Sequence, residues 1–138
     1  MNPGLMYREA AVAGASPVRL VILLYEQAIE DLRRALAAQQ KGAIEARTRE
    51  INHAILVLGH LEATLDKGQG GRVAENLQNF YQQLRAGLTE AQARQSSSLL
   101  EKQISLLIEV RDGWLEVERQ LRAARVQSEA PNRTDWSA

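Results

Sequence analysis

Apolar residues recur three and four apart through most of this chain, in four blocks separated by short polar or glycine-rich breaks. That spacing puts the apolar side chains on one face of a helix. Ser16-Pro17 opens the first block. A serine can cap the free N–H groups of a helix start, and proline suits the first helical position because its missing N–H has no partner there. The pattern predicts a helix from about Pro17 to Lys41, stopped by Gly42, with an inward stripe of Val21, Leu24, Tyr25, Ala28, Leu32 and Ala35. A second helix is predicted from about Ile44 to Asp66, with Ile51, Ala54, Ile55, Leu58, Leu61 and Leu65 on one face. Lys67–Gly71 then breaks the pattern with three glycines in five residues, and Gly70-Gly71 lets the backbone reverse because both can take positive φ. A third helix follows from about Arg72 to Ala93, with Val73, Leu77, Phe80, Tyr81, Leu84 and Leu88 as its stripe. Ser96, Ser97 and Ser98 are N-cap candidates for a fourth, about Leu99 to Arg125, whose stripe is Leu100, Leu107, Val110, Trp114, Val117 and Leu121.

Helices of about 22 to 27 residues are each roughly 33–40 Å long, so the four match in length. Short connections force sequential neighbours to run antiparallel. No strand-like alternation occurs. The expected fold is therefore all-α, an antiparallel up-and-down four-helix bundle spanning residues 16–126. A flexible segment, 1–15, precedes it and a frayed, disordered tail, 127–138, follows. Tyr25, Leu58, Leu61, Tyr81, Leu107, Val110 and Trp114 are expected to be largely buried.

Composition narrows the class. The chain has 138 residues, 45% apolar and 25% charged, which is enough to fold one domain around a real core. Seventeen basic residues balance seventeen acidic ones, so the basic face of a sequence-independent nucleic-acid binder is not expected. Without cysteine there is neither a disulfide framework nor a thiolate metal site. The longest apolar run, Leu20–Tyr25, is too short to cross a bilayer, and no charged-then-apolar leader opens the chain. A soluble domain of the cytosol is the expectation.

Candidate chemistry is sparse. His53 and His60 lie seven residues apart, whereas metal ligands on one helix come three or four apart. Glu50-Ile51-Asn52-His53 gives one Glu-x-x-His match, but a di-iron bundle needs two. A phosphotransfer role for His60 lacks a neighbouring lysine to stabilise phosphoryl charge, since Lys67 stands seven residues away. Neither histidine is given a chemical role, and replacing both is expected to leave folding and binding nearly unchanged. Asn132-Arg133-Thr134 has the form of a glycosylation acceptor without a secretory context, and Gly68–Gly71 lacks the ending of a phosphate loop. No enzyme activity, cofactor or metal is expected.

Surplus apolar surface is more telling. On a helical wheel the fourth helix's apolar residues, from Leu99 and Leu106 on one edge to Ile108 and Leu115 on the other, sweep roughly 200°, where a core-facing stripe needs about half that. The first helix behaves alike, with Leu20 and Ile22 on opposite flanks of its stripe and Leu23 behind it. About half of these residues would close the corners of the bundle. The rest would form an exposed groove for a partner or for a second copy. Candidate contacts are Leu20, Ile22, Leu99, Leu106 and Ile108. The cluster Leu5, Met6 and Tyr7 could lie in the groove until a partner displaces it; a simple unstructured start is the alternative.

Four motifs, in order, resemble the flagellar secretion chaperone family (the FliS type) over residues 16–118. Ala15–Ile29 is similar to the family's opening helix, in which Ser-Pro precedes a Leu-Leu-Tyr run. Gly42 with Ala43–Ala46 resembles its first corner. Leu65-Asp66-Lys67-Gly68-Gln69-Gly70-Gly71, then Ala74, Asn76, Leu77 and Tyr81, is similar to its Lys-Gly-Gly signature. Leu106-Leu107, then Val110-Arg111-Asp112-Gly113-Trp114, resembles its closing Leu-Leu…Arg-Asp-Ala-Trp. Arg72, Gln82, Gln83, Gln92 and Ser96 depart from the pattern, four of the five in the third helical block. The resemblance implies a chaperone of the bacterial cytosol rather than an enzyme. Such a protein binds the disordered C-terminal segment of flagellin, prevents premature polymerisation and aids delivery to the flagellar export apparatus. It implies flagellin as partner, the cytosolic domain of the export gate as a second one, and a monomer or weak homodimer when free. The rival readings are a self-associating structural bundle and a histidine phosphotransfer domain.

Overall fold

The computed structural model describes residues 16–136, with side chains to Ser128. Four helices follow one another: α1 (Pro17–Gln40), α2 (Ile44–Ala63), α3 (Gly71–Arg94) and α4 (Ser97–Trp136). They pack as a ring in which α1 meets α2 and α4, and α3 meets the same two. This is the up-and-down bundle the sequence pattern predicts.

The helix ends have local causes. Ser16 caps α1 by accepting a hydrogen bond from the Arg19 amide at 3.1 Å, with Pro17 behind it. Gly42 takes φ +74° after the end of α1, a conformation that costs a β-carbon-bearing residue strain. α2 stops at Ala63, three residues short of the predicted Asp66. Thr64 turns its hydroxyl back onto the Leu61 carbonyl at 2.6 Å, while Asp66 Oδ1 accepts from the amides of Gly68 and Gln69. The carboxylate has organised the turn instead of extending the helix. The double glycine splits its duties. Gly71 alone takes positive φ, at +56°. Gly70 is needed for space, because a β-carbon there would lie 2.5 Å from the Asp66 carbonyl oxygen. Ser96 caps α4 through Leu99 N–H at 3.2 Å.

The core is continuous through all four helices and includes Tyr25, Leu32, Ile51, Leu58, Leu61, Tyr81, Leu84, Leu88, Leu100 and Leu107. Val110 and Trp114 are half-buried at its edge. Three stripe positions fall outside it: Val73 is 65% exposed, and Val117 and Leu121 also face water. Helical spacing reports a face but not a height. α1 begins at Pro17, and the Arg19–Glu118 ion pair marks the last level at which α1 covers α4. Every described side chain of α4 beyond Glu118 is exposed. The α4 backbone nevertheless stays helical to Trp136, past Gln127 where the pattern predicts an irregular tail. Good helix formers from Arg119 to Gln127, with no glycine among them, carry it on.

One polar contact crosses the core. The hydroxyls of Tyr25 on α1 and Tyr81 on α3 lie 2.9 Å apart, and both residues are buried. Their rings are tilted, with centroids 6.2 Å apart. The remaining seams are laced by charge. Asp31, fully buried, accepts from Gln27 at 2.8 Å and Arg34 at 3.1 Å, and its other oxygen meets Nδ1 of His53 on α2 at 2.5 Å. His53 therefore has a structural partner, contrary to the expectation that it is dispensable. The spacing of α2 alone could not show that a carboxylate waits opposite. His60 is exposed. At the far end Arg47, 2% exposed, bonds Gln39 Oε1 and the Gln92 carbonyl, so its charge sits among the carbonyl ends of α1 and α3.

Phenylalanine at Tyr25 or Tyr81 alone should cost about 1–3 kcal/mol in denaturant unfolding, because the surviving hydroxyl is left unpaired in the core. The double replacement should recover most of that loss. Burial pushes both phenols above their ordinary value. An acid held neutral in the fold stabilises it fully below the unfolded pKa of about 10, and that stability is lost as pH rises beyond it. Phenolate absorbance in an alkaline titration should show two of the three tyrosines resisting ionisation until the protein unfolds. Replacing His53 with alanine should lower stability by about 1–2 kcal/mol by taking a partner from a buried carboxylate. His60→Ala should not change it. Equal melting of the two variants would contradict the pairing.

Candidate functional site

Salt bridges join α1 to α2 (Arg34–Glu50, His53–Asp31), α1 to α4 (Arg19–Glu118, Arg111–Glu26) and α2 to α3 (Arg85–Glu62). Among the described residues none joins α3 to α4. There the bundle opens into a groove of about 480 Å³, walled by Phe80 and Leu84 from α3 and by Leu99 and Leu106 from α4. Local sequence explains the opening. α3 presents Gln83, Ala86 and Gly87 to this seam, two of them too small to reach across. Gln103 of α4, 5% exposed, fills the floor opposite Gly87. Glu90 and Lys102 stand on the rim, so neither sign of charge dominates it.

A smaller cleft of about 200 Å³ lies at the end of the bundle where α2 gives way to α3. Val21, Leu65, Val73, Leu77 and Trp114 line it, with Tyr81 at its base. The Trp114 indole Nε1 is shielded from water and makes no hydrogen bond of good geometry.

The five expected contact residues do not share one surface. Leu99 and Leu106 stand together in the α3–α4 groove, half-buried. Ile108 lies on the opposite flank of α4, one turn from Arg111, which pairs with Glu26 of α1. Leu20 is half-buried on the flank of α1 that carries Gln27 and Asp31 toward α2. Ile22 is a correction: it is 0% exposed, closed into the core, and unavailable to a partner in the folded protein. The wheel placed it correctly on a flank, but α4 packs against that flank and covers it. Leu5, Met6 and Tyr7 lie outside the described residues. Sequence reasoning missed Gly87 and Gln103, since a glycine inside a helical block and a glutamine between apolar residues carry no periodic signal.

Among the described residues no group of three or more histidine, aspartate or glutamate side chains is placed to hold a metal, and no helix is long and apolar enough to cross a membrane. What the geometry offers is apolar, elongated and open, which suits a chain laid along it.

Comparison with known proteins identifies the family. The model of the family described as flagellar protein FliS matches residues 1–121. The flagellar secretion chaperone FliSB of Pseudomonas aeruginosa is 38% identical over 106 residues, which is 77% of this chain and 84% of the relative. The flagellar secretion chaperone FliS of Salmonella typhimurium is 30% identical over 110 residues, covering 79% of this chain and 82% of its own. That of Vibrio cholerae is 27% identical over 106 residues, 77% of this chain and 78% of the relative. With a helical bundle and a family match over most of its length, this protein belongs to the FliS family of flagellar secretion chaperones, which are not enzymes.

Proposed function

We propose that this protein is a cytosolic chaperone that holds the disordered C-terminal segment of flagellin along the α3–α4 groove. It thereby blocks premature polymerisation and presents the subunit to the flagellar export apparatus, with the cytosolic domain of the export gate as the receiving partner. The observation that carries this reading is the unlaced α3–α4 seam, the apolar side of a bundle whose other three seams are tied by ion pairs. A client that orders on binding loses conformational entropy, and a long apolar surface offsets that loss through many weak contacts. Leu99 and Leu106 form the inner wall of the proposed track. Ile108 extends it over the neighbouring flank of α4, whereas Leu20, on the α1–α2 side, lies across the bundle from the track.

Leu5, Met6 and Tyr7 are proposed to cover the groove before the client arrives. Reach permits it. Tyr7 lies nine positions before Ser16, about 30 Å of fully extended chain. Ser16 sits at the level of Glu118, because Arg19 pairs with it. From there Leu106 lies roughly 18 Å along α4 and Leu99 roughly 28 Å, at 1.5 Å per residue. The segment can cover the Leu106 end and only just attain Leu99. The exposed α4 residues Leu115, Val117, Leu121 and Val126 do not share one face, so they make no continuous seam for a second copy. A monomer or weak homodimer is proposed for the free protein.

Leu99→Asp and Leu106→Asp should retain wild-type helicity and melting yet lose a synthetic flagellin C-terminal peptide in calorimetric titration, because an unpaired charge beneath a dry interface is costly. Ile22→Asp should instead unfold the bundle, costing more than about 4 kcal/mol. Deleting residues 1–10 should leave binding intact or tighten it. Wild-type affinity in both leucine variants would place the client elsewhere.

A further inference from the structure

Two local features at the floor of the α3–α4 groove disfavour the free protein. Gly87 lies inside α3, where glycine weakens a helix relative to alanine. Gln103 faces it from α4, 5% exposed, with Oε1 buried and without a hydrogen-bond partner among the described residues. The features are linked. A β-carbon on Gly87 would lie 2.6 Å from Cδ of Gln103, so the glycine clears the space that the amide occupies. Leucine or methionine at 103 would fill that space without stranding a carbonyl oxygen, and stability alone would favour them. An amide kept where the bundle does not satisfy it is suited to a group arriving from outside.

We propose that Gln103 is the specificity-determining residue of the groove, its Oε1 accepting a hydrogen bond from an N–H of the bound flagellin segment. The proposal rests on the preceding reading that flagellin occupies this groove. Apolar walls at Phe80, Leu84, Leu99 and Leu106 accept any apolar chain of suitable width, and so set affinity more than identity. A buried acceptor discriminates, because a segment lacking a donor at that point leaves the oxygen unpaired and out of reach of water. An extended stretch of client has free main-chain N–H groups, whereas a helical stretch has already used them. The client passes Gly87 and Gln103 in extended form.

The test titrates the full chain with the flagellin C-terminal peptide and records melting of each free variant. Gln103→Leu and Gln103→Met should melt at or above the wild-type temperature while affinity falls about tenfold, or ~1.4 kcal/mol. Gly87→Ala, which displaces the amide without removing it, should likewise weaken binding with helicity retained. Leu106→Asp separates the two levels of inference. If it abolishes binding while both Gln103 variants bind as wild type, the groove stands and the role of Gln103 is overturned. If it binds as wild type, the groove assignment has failed and Gln103 falls with it. Should both Gln103 variants lose stability and affinity together, the residue is a packing element and the proposal is wrong.

Discussion

The fold depends on how α3 is fixed, and one buried pair of hydroxyls does most to fix it. Tyr25 and Tyr81 meet at 2.9 Å across the diagonal of the bundle, between helices that are not neighbours in the ring. Apolar packing tolerates slippage along a helix, because one leucine replaces another at little cost. A hydrogen bond between two buried donors and acceptors does not: a shift of one turn strands both groups in the core. The contact therefore sets the height of α3 against α1. With α1 already tied to α2 and α4 by ion pairs, the height of α3 against every other helix follows.

That arrangement leaves α3 free of any need for a tight seam with α4. Its remaining tether to a neighbour is the Arg85–Glu62 pair on the α2 side, together with Gln92 and the Arg47 contact at the far end. A bundle with four equally laced seams would be closed on every side. Here the diagonal contact takes over the registering role that a fourth seam would have had, and the α3–α4 side remains open, the surface proposed above to hold the client. Stability and access are divided between different faces of the same helix: Tyr81 and Leu88 face inward, Phe80, Gln83 and Gly87 border the groove, and Leu84 between them serves both.

The architecture was legible because helix-forming physics is local. Ser16-Pro17, Gly42, the Lys67–Gly71 break and the serines before α4 each announce a boundary through their own backbone chemistry, and the three- and four-residue spacing announces the inward face. What the pattern could not supply was how far each helix is covered. Leu121 carries the right phase but lies beyond Glu118, the last level at which α1 covers α4. Val73 and Val117 stand at the levels of the buried Ala74 and Glu118 but at the edge of their stripes, where they remain exposed. Ile22 shows the converse. It belongs to a flank by phase, yet α4 sits against that flank. The partner of His53 was hidden for a related reason, since Asp31 is distant in sequence and opposite only once α1 and α2 are antiparallel.

The candidate site was legible in its apolar members and not in its polar one. Leu99 and Leu106 stand out on a wheel because their phase exceeds what a core needs. Gln103, between them, has a phase that belongs to the core and a side chain that does not. Among the buried polar residues, Asp31 has three partners, Gln27 is held by Asp31 and Glu118 by Arg19. Arg47 Nε, Gln92 Oε1, Trp114 Nε1 and Gln103 Oε1 have no hydrogen-bond partner among the described residues, and of these Gln103 Oε1 alone belongs to the α3–α4 groove. Fold physics accounts for a buried polar group by naming what satisfies it within the chain. When the group lies on the floor of an open groove and nothing among the described residues satisfies it, the same physics directs attention to what enters the groove.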